Sequence, residues 1–154
     1  MQLIHYDSQP IVFDHSRIYD QEEPRWYGKP EGFWVSVAGE DDWLAWCQDN
    51  AFSPEDLACP HEVTLRPGAN LLHISSPEGM EEFHAAYSVP EEGRAYQYLR
   101  PESIDWRKVA ADYDGLINAP YQWQCRISMH FYYGWDCASG CIWNVNAIAE
   151  VVAL

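Results

Sequence analysis

The sequence predicts an α+β domain with a largely antiparallel sheet, and three observations carry that prediction. Short apolar or alternating stretches of strand length recur at residues 3–6, 32–37, 61–66, 70–74, 116–117, 141–145 and 149–152. Helical stretches with N-terminal capping signals interrupt them after Asp41-Asp42, Ser76-Pro77 and Asp105. Strands and helices do not alternate in the regular βαβ rhythm of a parallel sheet. With 154 residues, 47% of them hydrophobic, and neither repeat nor long linker, the chain suits one domain over residues 1–154.

Residues 3–6 (Leu-Ile-His-Tyr) form the first expected strand. Residues 7–30 carry Pro10, Pro24 and Pro30 and read as an irregular loop. Gly32-Phe33-Trp34-Val35-Ser36-Val37 reads as a buried strand, and Asp41 or Asp42 caps the helix bearing Trp43, Trp46 and Cys47. Trp43 and Trp46 are three apart and share a helix face. Ser53-Pro54-Glu55-Asp56 opens a short helix with proline at its first position. Pro67-Gly68 turns the chain between the strands at 61–66 and 70–74. A helix from Ser76-Pro77-Glu78-Gly79 runs to about Tyr87, and a polar loop follows. Asp105 caps a helix over 106–112, and Asp114-Gly115 turns into Leu116-Ile117. Residues 129–135 are aromatic and β-prone, and strands at 141–145 and 149–152 complete the series.

Composition narrows the function. The net charge is −15, from 24 acidic and 9 basic residues. Such a surface repels phosphate backbones, which disfavours direct nucleic-acid binding and suits docking to a basic protein. No apolar run approaches the length needed to span a bilayer, so no membrane partner is expected. Met1-Gln2-Leu3-Ile4-His5 lacks the basic region and long apolar stretch of a signal peptide. Five cysteines cannot all pair internally, and reduced thiols point to a cytoplasmic location. Cys137 and Cys141 are spaced more widely than a zinc-knuckle pair, so no metal site is expected, even with His130 nearby. Arg17, Arg25 and Lys29 fall in one loop region and could face a diphosphate.

The tryptophan-rich segment is the strongest chemical signal. Trp34 sits on a strand, with Trp43 and Trp46 on the helix that follows. Indole faces are electron-rich and hold flat cationic rings, of which the nicotinamide of NAD is one. His5 lies on an earlier apolar strand. The order of these features resembles the ADP-ribosyltransferase family, in the branch of poly(ADP-ribose) polymerases and diphtheria-toxin relatives. Ile4-His5-Tyr6 resembles the strand whose histidine holds a ribose of NAD. Gly32-Phe33-Trp34-Val35-Ser36 resembles the family's second strand, and Trp46-Cys47 its Tyr-Cys pair. Tyr113-Asp114-Gly115-Leu116-Ile117 resembles a strand of small bacterial members, and residues 139–144 with Ile148 have the cadence of the last motif.

The resemblance implies two mainly antiparallel sheets around an NAD cleft, with flanking helices and NAD as co-substrate. It implies that Trp34 and Trp46 flank the nicotinamide while Trp43 packs in the core. His5 would hold a ribose hydroxyl, and Tyr6, Ser36 and Arg17 would add contacts. Ser139 stands where the family has its catalytic glutamate, and a serine cannot supply the charge that stabilises an oxocarbenium-like state. Asp136 is the nearest acid and takes that role, ahead of Asp114 and Glu150. The implied activity transfers ADP-ribose to a macromolecular acceptor, a protein, and releases nicotinamide. Two alternatives are an NAD glycohydrolase toxin, with water as acceptor, and a non-enzymatic acidic inhibitor of a basic partner.

Overall fold

The structure is a computed structural model that describes residues 1–24, 28–52, 54–90 and 102–154. The fold is α+β. Seven strands form one sheet in the order β4(Leu71–Ile74), β7(Gly115–Asn118), β8(Ser139–Ile142), β2(Phe33–Val37), β1(Leu3–Asp7), β3(Cys59–Leu65), β9(Ile148–Ala153). Every neighbouring pair is antiparallel except β4 and β7, which run parallel. A parallel pair needs a crossover, supplied here by α2(Pro77–Tyr87) and α3(Trp106–Asp112). A two-stranded ribbon pairs β5(Ser88–Pro90) with β6(Glu102–Ile104), flanking the end of α2 and the start of α3. Most of the β structure thus lies in one seven-stranded unit, where the resemblance implies two sheets around a cleft.

The helix starts follow their capping chemistry. Asp42 Oδ1 accepts from Ala45 N at 2.8 Å at the start of α1(Trp43–Asn50). Ser76 Oγ accepts from Gly79 N at 3.1 Å, and the Asp105 side chain accepts from Lys108 N. Each satisfies a backbone donor that the first helical turn leaves free. Gly68 takes φ +86° in the turn between β3 and β4, a conformation costly for other residues. Gly140 lies so close to β7 that an added Cβ would sit 2.7 Å from the Leu116 carbonyl oxygen.

Register decides what each face of the sheet carries. Ile4 pairs with Ser36, Ser36 with Ser139, and Ser139 with Asn118. With alternation along each strand, Ile4, Tyr6, Trp34, Ser36, Leu116, Asn118, Ser139 and Cys141 share one face. Met80 and Phe83 of α2, Trp106 of α3 and the segment around Tyr132 close over the β4–β7 end of this face. The opposite face carries Leu3, His5, Phe33, Val35, Val37 and Val63, and the loop after β1 lays Phe13 against Phe33 at 5.0 Å.

Three segments differ from the sequence expectation. Residues 129–135, expected to be strand, follow the short helix α4(Cys125–Ser128) into a 3-10 helix, His130–Gly134. Residues 129–132 are buried in succession, followed by an exposed Tyr133 and a buried Trp135, which is not the alternation of a strand. The strand expected at 141–145 begins earlier, at Ser139, and ends at Ile142. The Asn144 side chain then accepts from Asn146 N and turns the chain into a 3-10 turn, Val145–Ala147. The polar loop expected after Tyr87 is framed by the β5–β6 ribbon, and its residues 91–101 lie outside the described residues. Arg25 and Ser53 also lie outside them. Among the described residues, no helix is long and apolar enough to cross a membrane.

Candidate functional site

Where α1 and the chain entering β8 meet the middle of the sheet, over β1 and β2, they leave a cavity of about 240 Å³. Three indoles line it: Trp34 from β2, Trp43 from the first turn of α1, and Trp135 from the segment before β8. Trp34 and Trp135 pack with centroids 5.0 Å apart. The remaining wall includes Ile4, Tyr6, Ser36, Lys29, Asp136, Cys137 and Ser139. Ser36 ties the wall together, because its Oγ accepts from Trp43 N at 2.9 Å and fixes the start of α1 against β2.

The charged and titratable groups are held individually. Arg126 Nη2 donates to Asp136 Oδ1 at 2.9 Å, and Arg126 also donates to the Tyr121 hydroxyl at 3.2 Å. This leaves the carboxylate tethered at one oxygen on the cavity wall. Lys29 Nζ lies 5.3 Å from the Trp34 ring centroid, a cation–π position. Desolvation lowers the Lys29 pKa, with Asp136 acting in the opposite direction. Burial raises the Tyr6 pKa, and Asp42 adds to the shift. Burial pushes the Cys137 thiol up to about 12, which keeps it a protonated, poor nucleophile.

The predicted site residues divide into three places. Tyr6, Trp34, Ser36 and Asp136 line the cavity together. His5 contributes to its lining, but its imidazole belongs mainly to the other face of the sheet. There it stacks on Phe33 with centroids 4.2 Å apart and bonds the Trp34 carbonyl through Nδ1 at 2.7 Å. Arg17 lines a separate groove of about 300 Å³ on that side, with Asp7, Phe13, Tyr19 and Phe33, and its guanidinium lies 4.7 Å from the Tyr19 centroid. His5 and Trp34 border both spaces.

Neither helix tryptophan takes the place expected of it. Trp43 is half-buried and walls the cavity, whereas Trp46 stacks behind it at 5.1 Å, with planes 9° apart. Trp46 faces a polar hollow of about 320 Å³ with Glu40, Asp41, Asp49, Trp123 and Arg126. The reason is rotational: Asp42 caps α1 and Ser36 holds Trp43 N, so the first turn is pinned over the sheet. Asp136 borders both the cavity and this hollow.

The sequence does not single out Lys29 or Trp135 for the pocket. Lys29 groups only with other loop cations, and Trp135 reads as part of a β-prone run. Among the described residues, no group of three or more His, Cys, Asp or Glu side chains could hold a metal ion. Comparison with protein-family models, with curated proteins and with solved structures finds no significant match for this chain.

Proposed function

We propose that the cavity receives the nicotinamide ring of NAD and that the protein is an NAD-dependent ADP-ribosyltransferase acting on a protein acceptor. The observation that carries this reading is the gathering of Trp34, Trp43 and Trp135 around one small space that also holds the Asp136 carboxylate. Ligand pockets typically measure about 300–1,000 Å³. At about 240 Å³ the cavity suits a single ring and not a whole dinucleotide. The rest of the molecule would extend toward the groove that His5 and Trp34 share with Arg17, whose guanidinium suits a diphosphate.

NAD supplies a positively charged pyridinium leaving group, whose departure builds positive charge on the ribose. Trp34 and Trp43 offer π faces to the cationic ring. Asp136, tethered by Arg126, supplies a fixed negative charge on the same wall, where Ser139 has only a hydroxyl, and that hydroxyl donates to the Cys137 carbonyl at 3.0 Å. Lys29 holds a cation near Trp34 and has to swing from the ring face as the pyridinium enters. The acidic surface, at −15 overall, favours a basic protein as acceptor.

The test incubates the protein with NAD labelled in the adenylate and with cell lysate, and follows free nicotinamide by chromatography. Labelled protein together with nicotinamide is expected. Nicotinamide without labelled protein would make water the acceptor. If calorimetry also detects no NAD binding and no nicotinamide appears, the reading is wrong.

A further inference from the structure

The hollow of about 320 Å³ beside the cavity has no part in holding the nicotinamide ring, yet Asp136 borders both spaces. Trp123 forms one of its walls and is 57% exposed. This indole is exposed but not loose. Its Nε1 donates to Asp41 Oδ1 at 3.2 Å, and Tyr121 packs edge-on to it with centroids 4.7 Å apart. Exposed aromatics held in one position make good anchors for a protein partner, because little side-chain freedom is lost on contact.

The apolar surface continues past Trp123. Ile127 follows it by four residues around a helical turn and is 75% exposed, and Tyr133 is 50% exposed. Arg126 joins these residues to the hollow, since it lines the hollow and its guanidinium lies 5.4 Å from the Tyr133 centroid. Single exposed apolar residues are ordinary, but three large ones gathered around one side chain at the mouth of a hollow form a patch. Arg126 is already engaged by Asp136 and the Tyr121 hydroxyl. Glu40 and Asp49 are exposed on the hollow, and their side chains have no hydrogen bond or ion pair among the described residues.

We infer that this surface docks a basic segment of the protein acceptor. A positively charged side chain enters the hollow against the Trp46 and Trp123 rings and the Glu40 and Asp49 carboxylates, and an apolar neighbour lies on Ile127 and Tyr133. Charge selects this occupant. Indole faces and carboxylates both attract a cation, while a chain at −15 overall repels an acidic partner and a second copy of itself. Calling the segment the acceptor rests on the transferase reading above, because a side chain in the hollow stands next to Asp136. The docking itself needs no NAD.

The experiment is fluorescence anisotropy with the full chain and three short labelled peptides, in which arginine alternates with leucine, arginine with serine, or glutamate with leucine. At low ionic strength and without NAD, the arginine–leucine peptide is expected to bind, the arginine–serine peptide to bind about tenfold more weakly, and the glutamate–leucine peptide not to bind. The double variant Glu40→Gln, Asp49→Asn is expected to weaken the arginine–leucine peptide about fivefold. Glu82→Gln, Glu150→Gln removes the same charge from exposed positions elsewhere and should weaken it by less than about 1.5-fold. Trp123→Ala is expected to weaken it about tenfold, and Ile127→Ser about threefold should the tryptophan variant fail to fold. Equal losses in the two double variants would mean binding to acidic surface in general and overturn the inference, as would equal affinity for the two arginine peptides. A dimer in sedimentation that Ile127→Ser dissolves puts a second copy on this face and also overturns it. Peptide binding without nicotinamide release from NAD leaves the docking surface standing and removes the transferase reading. Nicotinamide release without peptide binding overturns the docking alone.

Discussion

The two faces of the β1–β2 pair are built from similar residues and end in different states. On one, Phe33 carries the His5 imidazole at 4.2 Å and Phe13 at 5.0 Å, so the chain covers much of its own aromatic surface. The loop after β1 is also pinned there, since Ile11 N donates to His61 Nε2 at 3.3 Å. On the other, Trp34 meets Trp135 and Trp43 around a cavity. Aromatic content therefore does not distinguish a core from a binding wall. What distinguishes them is whether a neighbouring segment fills the space, and here α1 bridges across Ser36 without filling it.

That contrast can be tested by substitution on each side. The largest expected effect is chemical and belongs to the cavity face. Asp136→Asn should lower nicotinamide release about 10²–10³-fold, the scale of losing one aligned electrostatic group. Its unfolding free energy should shift by less than about 1 kcal/mol, because the Arg126–Asp136 pair is partly exposed. Phe33→Ala should do the reverse. It removes a buried aromatic and should cost about 3–5 kcal/mol in urea unfolding, while nicotinamide release per folded molecule at saturating NAD persists, because Phe33 lines only the groove toward which the rest of NAD extends. Loss of activity beyond the unfolded fraction would merge the two faces into one functional unit.

A finer comparison separates the stacked tryptophans. Trp43→Ala should weaken NAD about tenfold by fluorescence or calorimetry, the scale of one aromatic contact. Trp46→Ala should change binding by less than about twofold, because that ring lies behind Trp43 and outside the cavity. Equal losses would place the ligand in the acidic hollow instead.

The smallest effect is a pH dependence. Burial lowers the His5 pKa from 6.5, outweighing the bond to the Trp34 carbonyl and the nearby Asp7, while His61 adds to the lowering. The unfolded chain thus binds a proton at a pH where folded His5 does not. The neutral imidazole's contribution is complete above pH 6.5 and is lost as the pH falls from 6.5 through the depressed folded value. Denaturation midpoints measured across that window should decline more steeply for the parent protein than for His5→Gln. Parallel declines would mean that His5 is not desolvated against Phe33.

Much of the scaffold was legible in the sequence because its determinants are local. Residues 32–37 are a short apolar run, Asp42, Ser76 and Asp105 precede helices as side-chain caps, and Pro67-Gly68 marks a turn. These depend on backbone preferences and short-range hydrogen bonds. Residues 129–135 misled because aromatic side chains favour strands in general, whereas here the chain turns through a 3-10 helix that buries His130, Phe131 and Tyr132 in succession.

The membership of the site was decided at longer range. Alternation groups Trp34 with Ser36, but only the Ile4–Ser36 register puts Tyr6 beside them and sends His5 to Phe33; a slip of one residue would exchange Tyr6 and His5. Spacing puts Trp43 and Trp46 on one side of a helix, but the rotation set by Ser36 and Asp42 decides which one meets the cavity. The sequence by itself determined the strands, the caps and the supply of indoles and acids. Strand register, helix rotation and the path of the loop after β1 are set by contacts between distant segments, and only the tertiary structure decided which of those indoles surround Asp136.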